Sequence, residues 1–101
     1  MTPWRVRFTA TAQGHVLRNK AWWLENRTHA EVFAAELEAA LRILAALPGA
    51  GTPYTQAGVA GLRRWYLPKT ACHLYYTFDE HEVVVRAFWS ARRRQGPRIK
   101  P

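Results

Sequence analysis

At 101 residues the chain has the length of one domain, spanning 1–101, because single cores run to about 100–150 residues before splitting. Its 49% hydrophobic content suffices for a core, and a lone cysteine, Cys72, excludes an intramolecular disulfide. Lys and Arg total 15 against 7 Asp and Glu, a formal net charge of +8. So large an excess on a small surface implies an anionic partner, and no uncharged apolar run approaches the ~20 residues of a membrane span.

The first stretch, Trp4 to Phe8, alternates Trp-Arg-Val-Arg-Phe, which predicts a half-buried strand with Trp4, Val6 and Phe8 on one face. Charge at Arg5 and Arg7 stands where a secretion signal needs its apolar run, so a cytoplasmic protein is expected. Thr9 or Thr11 can cap a helix whose apolar positions Val16, Leu17, Ala21 and Leu24 recur at helical spacing to about Arg27. Thr28 with Glu31 three residues on reads as a capping box opening a second helix. There Phe33, Leu37, Leu41 and Leu44 form one apolar stripe, and Pro48-Gly49 ends it. Residues 49–60 are small and turn-forming and read as a surface loop. Three β-rich runs follow, Leu62–Leu67, Thr70–Phe78 and Val83–Trp89, with connectors short enough for an antiparallel meander. The expected architecture is α+β, in the order β-α-α-β-β-β, with a helical hairpin packed on a four-stranded, mainly antiparallel sheet.

Charge is uneven along this frame. From Arg86 to the C-terminus there are six basic residues and no acid, while Glu25, Glu31, Glu36 and Glu38 lie on the helices. Arg63 and Arg64, one strand away, can merge with Arg86 and the tail into one basic patch.

The stretch Ala21–Arg27 (Ala-Trp-Trp-Leu-Glu-Asn-Arg), the helix ending in Leu-Pro-Gly-Ala-Gly, and the later runs Gly-Leu-Arg-Arg, Thr-Ala-Cys-His-Leu-Tyr-Tyr and Val-Val-Val-Arg-Ala-Phe-Trp-Ser-Ala-Arg together resemble the RelE/ParE superfamily of bacterial type II toxins. The resemblance covers nearly the whole chain. It implies a toxin neutralised by a cognate antitoxin and directed at either messenger RNA in the ribosome or DNA gyrase. RelE-type nucleases carry basic residues on the second and third strands, an arginine after the last strand, and a tyrosine or histidine in the tail. By resemblance Arg64 and Arg92 take two of these places, and His73 falls where the third-strand arginine would be. No tyrosine or histidine follows Trp89, a departure that ParE-type members share and that tilts the reading toward a gyrase-directed binder.

Arg63, Arg64, Arg86, Trp89, Arg92, Arg93 and Arg94 are therefore the candidate target-binding residues; Arg64, His73 and Arg92 are the catalytic candidates of the nuclease alternative. A third alternative is a non-catalytic nucleic-acid-binding module, since cations with exposed aromatics suit backbone contact and base stacking. Trp22 and Trp23 lie about 100° apart around a helix and cannot share one core. One of them is expected at the surface that an acidic amphipathic segment of the antitoxin covers. Tyr76 shares a face with Leu74 and Phe78 and is expected in the core, leaving Tyr75 free to meet a base or a partner. Cys72 reads as a small strand residue, and four scattered histidines have no metal-ligand spacing, so neither metal nor organic cofactor is expected.

Overall fold

The computed structural model describes residues 3–56 and 58–100; Met1 and Thr2 of the N-terminal reading and Ala57 of the 49–60 loop lie outside them. The elements are β1 (Arg5–Phe8), α1 (Ala10–Asn26), α2 (Glu31–Ala46), a 3-10 turn (Pro48–Ala50), β2 (Thr52–Pro53), β3 (Arg63–Leu67), β4 (Cys72–Phe78) and β5 (Glu82–Ser90). Their α+β order is the expected one, but the sheet has five strands rather than four, in the order β1-β5-β4-β3-β2. The meander β3-β4-β5 is antiparallel, and β1 joins β5 in parallel after the chain has crossed through both helices. The extra strand comes from the presumed loop: Thr52 and Pro53 lie beside Arg64 and Arg63, and Tyr54 N donates to the Leu62 carbonyl. Pro53 has no N–H to offer a ladder, and the sheet edge is where a strand proline is tolerated.

Thr9 is the cap of α1, its hydroxyl accepting from Ala12 N at 3.1 Å. The Thr28–Glu31 capping box does not form. Ala30 occupies the cap position of α2 without a side-chain bond, and Glu31 instead places its charge in the first turn, where the helix dipole favours it. The stripe Phe33, Leu37, Ala40, Leu41 and Leu44 packs on the sheet as expected.

The apolar reading of α1 is overturned. Ala12, His15 and half-buried Val16, Asn19 and Trp23 face inward, whereas Leu17, Ala21 and Leu24 are exposed, Leu17 by 66% and Leu24 by 63%. The polar residues turn inward because they have bonds to make. Beyond Val85 the outer edge of β5 is no longer covered by β1, and α1 runs along it. There His15 Nδ1 accepts the Phe88 amide at 3.2 Å, and Asn19 Nδ2 donates to the His15 carbonyl. An unpaired buried amide would cost about 1–3 kcal/mol, more than the burial of one more leucine methylene returns.

Trp4, Val6 and Phe8 join Leu67, Leu74, Tyr76, Val83, Val85 and Phe88 beneath the helices. A bulge opposite Tyr75 and Tyr76 leaves Arg86 as the unpaired extra residue of β5. This resets the alternation, so Phe88 joins Val85 on the helix side while Ala87 and Trp89 face outward. The outer face has its own smaller core of Leu62, Tyr75, Ala87 and Ile99. Tyr75 is thus 2% exposed rather than free for a partner. The C-terminal residues cover it: Ile99 exchanges hydrogen bonds with the Gln56 side chain, and Trp89 Nε1 donates to the Gln95 carbonyl.

Candidate functional site

The basic and aromatic candidates separate into two places. On the outer face, Tyr66 and Tyr75 flank His73 with ring centroids at 4.9 and 6.1 Å, and the Arg64 guanidinium lies 5.0 Å over Tyr54. His73 Nδ1 is buried without a hydrogen-bond partner among the described residues. Burial, reinforced by Arg64, holds the His73 pKa below 6.5 and keeps the imidazole neutral at neutral pH. Arg86 lies on this face too, with Nε donating to Thr77 Oγ1 at 2.8 Å.

The second place is a cleft of about 370 Å³ between α1 and the ends of β4 and β5. Its walls include His15, Arg18 and Trp22 from one side and Trp89, Arg92 and Arg93 from the other. Arg93 does not reach away from the sheet as a tail residue would. Its guanidinium stacks 4.2 Å over Trp89, and Trp89 also approaches His15 edge to face at 5.1 Å. Arg92 N and Arg93 N donate to the hydroxyl and carbonyl of Ser90, and Ala91 N donates to the Ala71 carbonyl, so the start of the basic run is fastened to the β3–β4 turn. That turn is held in its own right, since the Glu36 carboxylate accepts from Lys69 N and Thr70 N at 2.7 and 2.8 Å. Burial, then Arg18 and Arg93, lowers the His15 pKa, and burial raises the Cys72 thiol to about 11. The thiol is inert at neutral pH, in keeping with a small strand residue.

Of the catalytic candidates, Arg64 and His73 are neighbours, whereas Arg92 belongs to the cleft on the α1 side. Arg63 is turned toward the helix side, where it donates to the Gly49 and Gly51 carbonyls and braces the turn before β2. Arg94 is exposed. The tryptophan pair is divided: Trp23 packs on Phe33 at 6.4 Å, Trp22 is 44% exposed, and the Arg27 guanidinium lies against both rings. Trp22 therefore shares a cleft with Arg92 and Arg93, two sets that sequence reasoning had assigned to different surfaces. Residues 15, 18, 19 and 22 fall on one helix face at i, i+3, i+4 and i+7. That spacing was the available signal for His15, Arg18 and Asn19, which were missed because they are polar.

Two helices on one face of a sheet with a basic C-terminal run make the α+β architecture that was expected, with five strands in place of four. No family model matches the sequence, and no curated protein matches it either. Among solved structures the fold is similar to a chain of the chromosomal ParDE TA system from P. aeruginosa. The TM-score is 0.71 at 14% identity, over 86% of this chain and 95% of that one. What the two share at that identity is the fold. No helix among the described residues is long and apolar enough to cross a membrane.

Proposed function

We propose that the chain is the toxin of a bacterial type II toxin-antitoxin pair, ParE-like, acting by binding DNA gyrase in the cytoplasm. The fold shared with a chain of the ParDE TA system carries the reading. The separation of Arg92 from Arg64 and His73, with no tyrosine or histidine after Trp89, supports binding over catalysis. The exposed stripe Leu17, Ala21 and Leu24 beside Trp22, flanked by Arg18, Lys20 and Arg27, suits an acidic amphipathic antitoxin segment. Purified protein titrated into a gyrase supercoiling assay should inhibit it; unchanged supercoiling at saturating protein overturns the target.

A second reading has one specific observation behind it. Neutral, half-buried His73, through the ring nitrogen other than the buried Nδ1 and with the Arg64 cation nearby, has the means to take a proton from a 2′-hydroxyl while a guanidinium stabilises the developing phosphorane charge. As a ribosome-dependent endoribonuclease the chain would cut messenger RNA within minutes of induction, and His73→Ala would abolish the cuts.

A further inference from the structure

The cleft between α1 and the end of β5 has a composition that a gyrase-directed binder does not call for. Cations enter from two separate segments, Arg18 from α1 and Arg92 with Arg93 from the turn after β5, and no Asp or Glu lines it. None of these three guanidiniums has a carboxylate partner among the described residues, where the ion pairs are Arg7 with Glu82 and His29 with Glu31. Aromatic surface accompanies the charge. Trp22 carries the Arg27 guanidinium 5.0 Å over one part of its ring system, leaving the cleft side for a ligand, and Trp89 with Arg93 stacked on it forms the opposite rim.

The polar groups deeper in the cleft are already spent within the protein. His15 Nδ1 takes the Phe88 amide, Asn19 bonds the His15 carbonyl and receives the Cys72 thiol, and Ser90 Oγ takes Arg92 N. A ligand therefore finds charge and flat apolar surface here, with few free groups to read its edges. An acidic amphipathic peptide would satisfy the guanidiniums, but the apolar stripe of α1 that suits its apolar face, Leu17, Ala21 and Leu24, lies outside the cleft. A volume of about 370 Å³ is in the range of small-molecule sites, about 300–1,000 Å³.

We propose that this cleft binds one nucleotide unit of a single-stranded nucleic acid, its base against Trp22 and its phosphate between Arg18 and Arg92, with little preference for sequence. Oligodeoxyuridylate and oligouridylate present the same base and phosphate and differ only at the 2′-hydroxyl. The proposal does not depend on the toxin's target, because naked oligonucleotide is its probe. The test measures anisotropy of labelled oligodeoxyuridylate and oligouridylate of equal length, titrated with the full chain at several salt concentrations. Saturable binding is expected, weakened about fivefold or more by Trp22→Ala and restored by Trp22→Phe, since stacking needs a ring but not an indole N–H. Arg18→Gln should lower the slope of log affinity against log salt by about 0.7, one single-strand phosphate contact. The double variant Arg98→Gln, Lys100→Gln removes two exposed charges outside the cleft and should change affinity less than about twofold. Equal affinity for the two strands assigns the site to the shared chemistry, and a preference for oligouridylate adds a 2′-hydroxyl contact. Equal losses in cleft and tail variants would overturn the proposal in favour of unlocalised charge. So would cleft variants that keep oligonucleotide affinity while losing that for an acidic helical peptide.

Discussion

His15 is a residue whose role is set by what the strand beside it lacks. Its Nδ1 can accept the Phe88 amide only while unprotonated, and burial with two nearby arginines keeps it so. The folded pKa lies below 6.5, so as pH falls the unfolded chain takes up the proton first. The stabilisation from the neutral ring is complete above about pH 6.5 and is lost below it. Thermal unfolding between pH 7.5 and 5 should show this loss, and His15→Asn, which keeps an acceptor but does not titrate, should reduce it to the share that His73 contributes in the same direction. A variant as pH-sensitive as the parent would contradict the assignment. Tyr76 is a second such residue: its buried hydroxyl accepts Gly51 N at 2.8 Å and donates to the Pro48 carbonyl at 2.6 Å. Tyr76→Phe strands both groups and should cost about 1–3 kcal/mol in a denaturant titration. Gly51 itself has no room for a side chain, since a Cβ there would lie 2.5 Å from the same hydroxyl.

At the scale of elements, α1 separates what the sequence could say from what it could not. β1 and α2 were legible because their apolar residues follow a period, and β3 to β5 because β-rich runs are set apart by short connectors, whereas the two-residue β2 was hidden in a small-residue loop. In helix α1 the apolar period marks the wrong face, since Leu17, Ala21 and Leu24 are exposed. Its inward positions are chosen by the open edge of β5, a feature created only when β1 stops at Phe8 opposite Val85. The bulge at Arg86 was hidden for a related reason: a run such as Glu-Val-Val-Val-Arg-Ala-Phe-Trp-Ser is apolar on both faces and shows no break in alternation where the register changes. Arg64 and His73 could be named from the family resemblance laid on their strand positions, but the company Trp22 keeps with Arg92 and Arg93 depends on where α1 lies. The packing makes a direct prediction. Trp23→Ala should cost about 3 kcal/mol or more by removing the ring that packs on Phe33, while Leu17→Ala and Leu24→Ala should stay within about 0.5 kcal/mol. Comparable losses from Leu17→Ala would mean that α1 is rotated about its axis relative to this arrangement.

For the whole molecule the deciding property is polarity of charge. Among the helix acids Glu36 is taken up by the β3–β4 turn, and Glu82 on β5 is paired with Arg7, whereas the run from Arg92 to Arg94 is exposed at the end of the sheet without a carboxylate partner among the described residues. Replacing Arg92, Arg93 and Arg94 with glutamine removes three positive charges and lowers the formal net charge from +8 to +5. The fold should tolerate this. The backbone amides of Arg92 and Arg93 make the bonds to Ser90, so they survive the substitution, and the one side-chain contact given up is the stack of Arg93 on Trp89, worth about 0.5–1 kcal/mol at an exposed site. Target encounter should suffer far more, because charge steering toward an anionic partner acts over about one Debye length, roughly 10 Å at 0.1 M salt. Induced at equal level, the glutamine variant should arrest growth much more slowly than the parent, and its residual target binding should depend less on salt. A matching triple lysine variant keeps the charge and loses only the planar fork of the guanidinium. If steering dominates, it should recover most of the arrest; recovery of none would assign the cluster to bidentate or stacked contacts instead, and a glutamine variant as toxic as the parent would remove the basic end from the mechanism altogether.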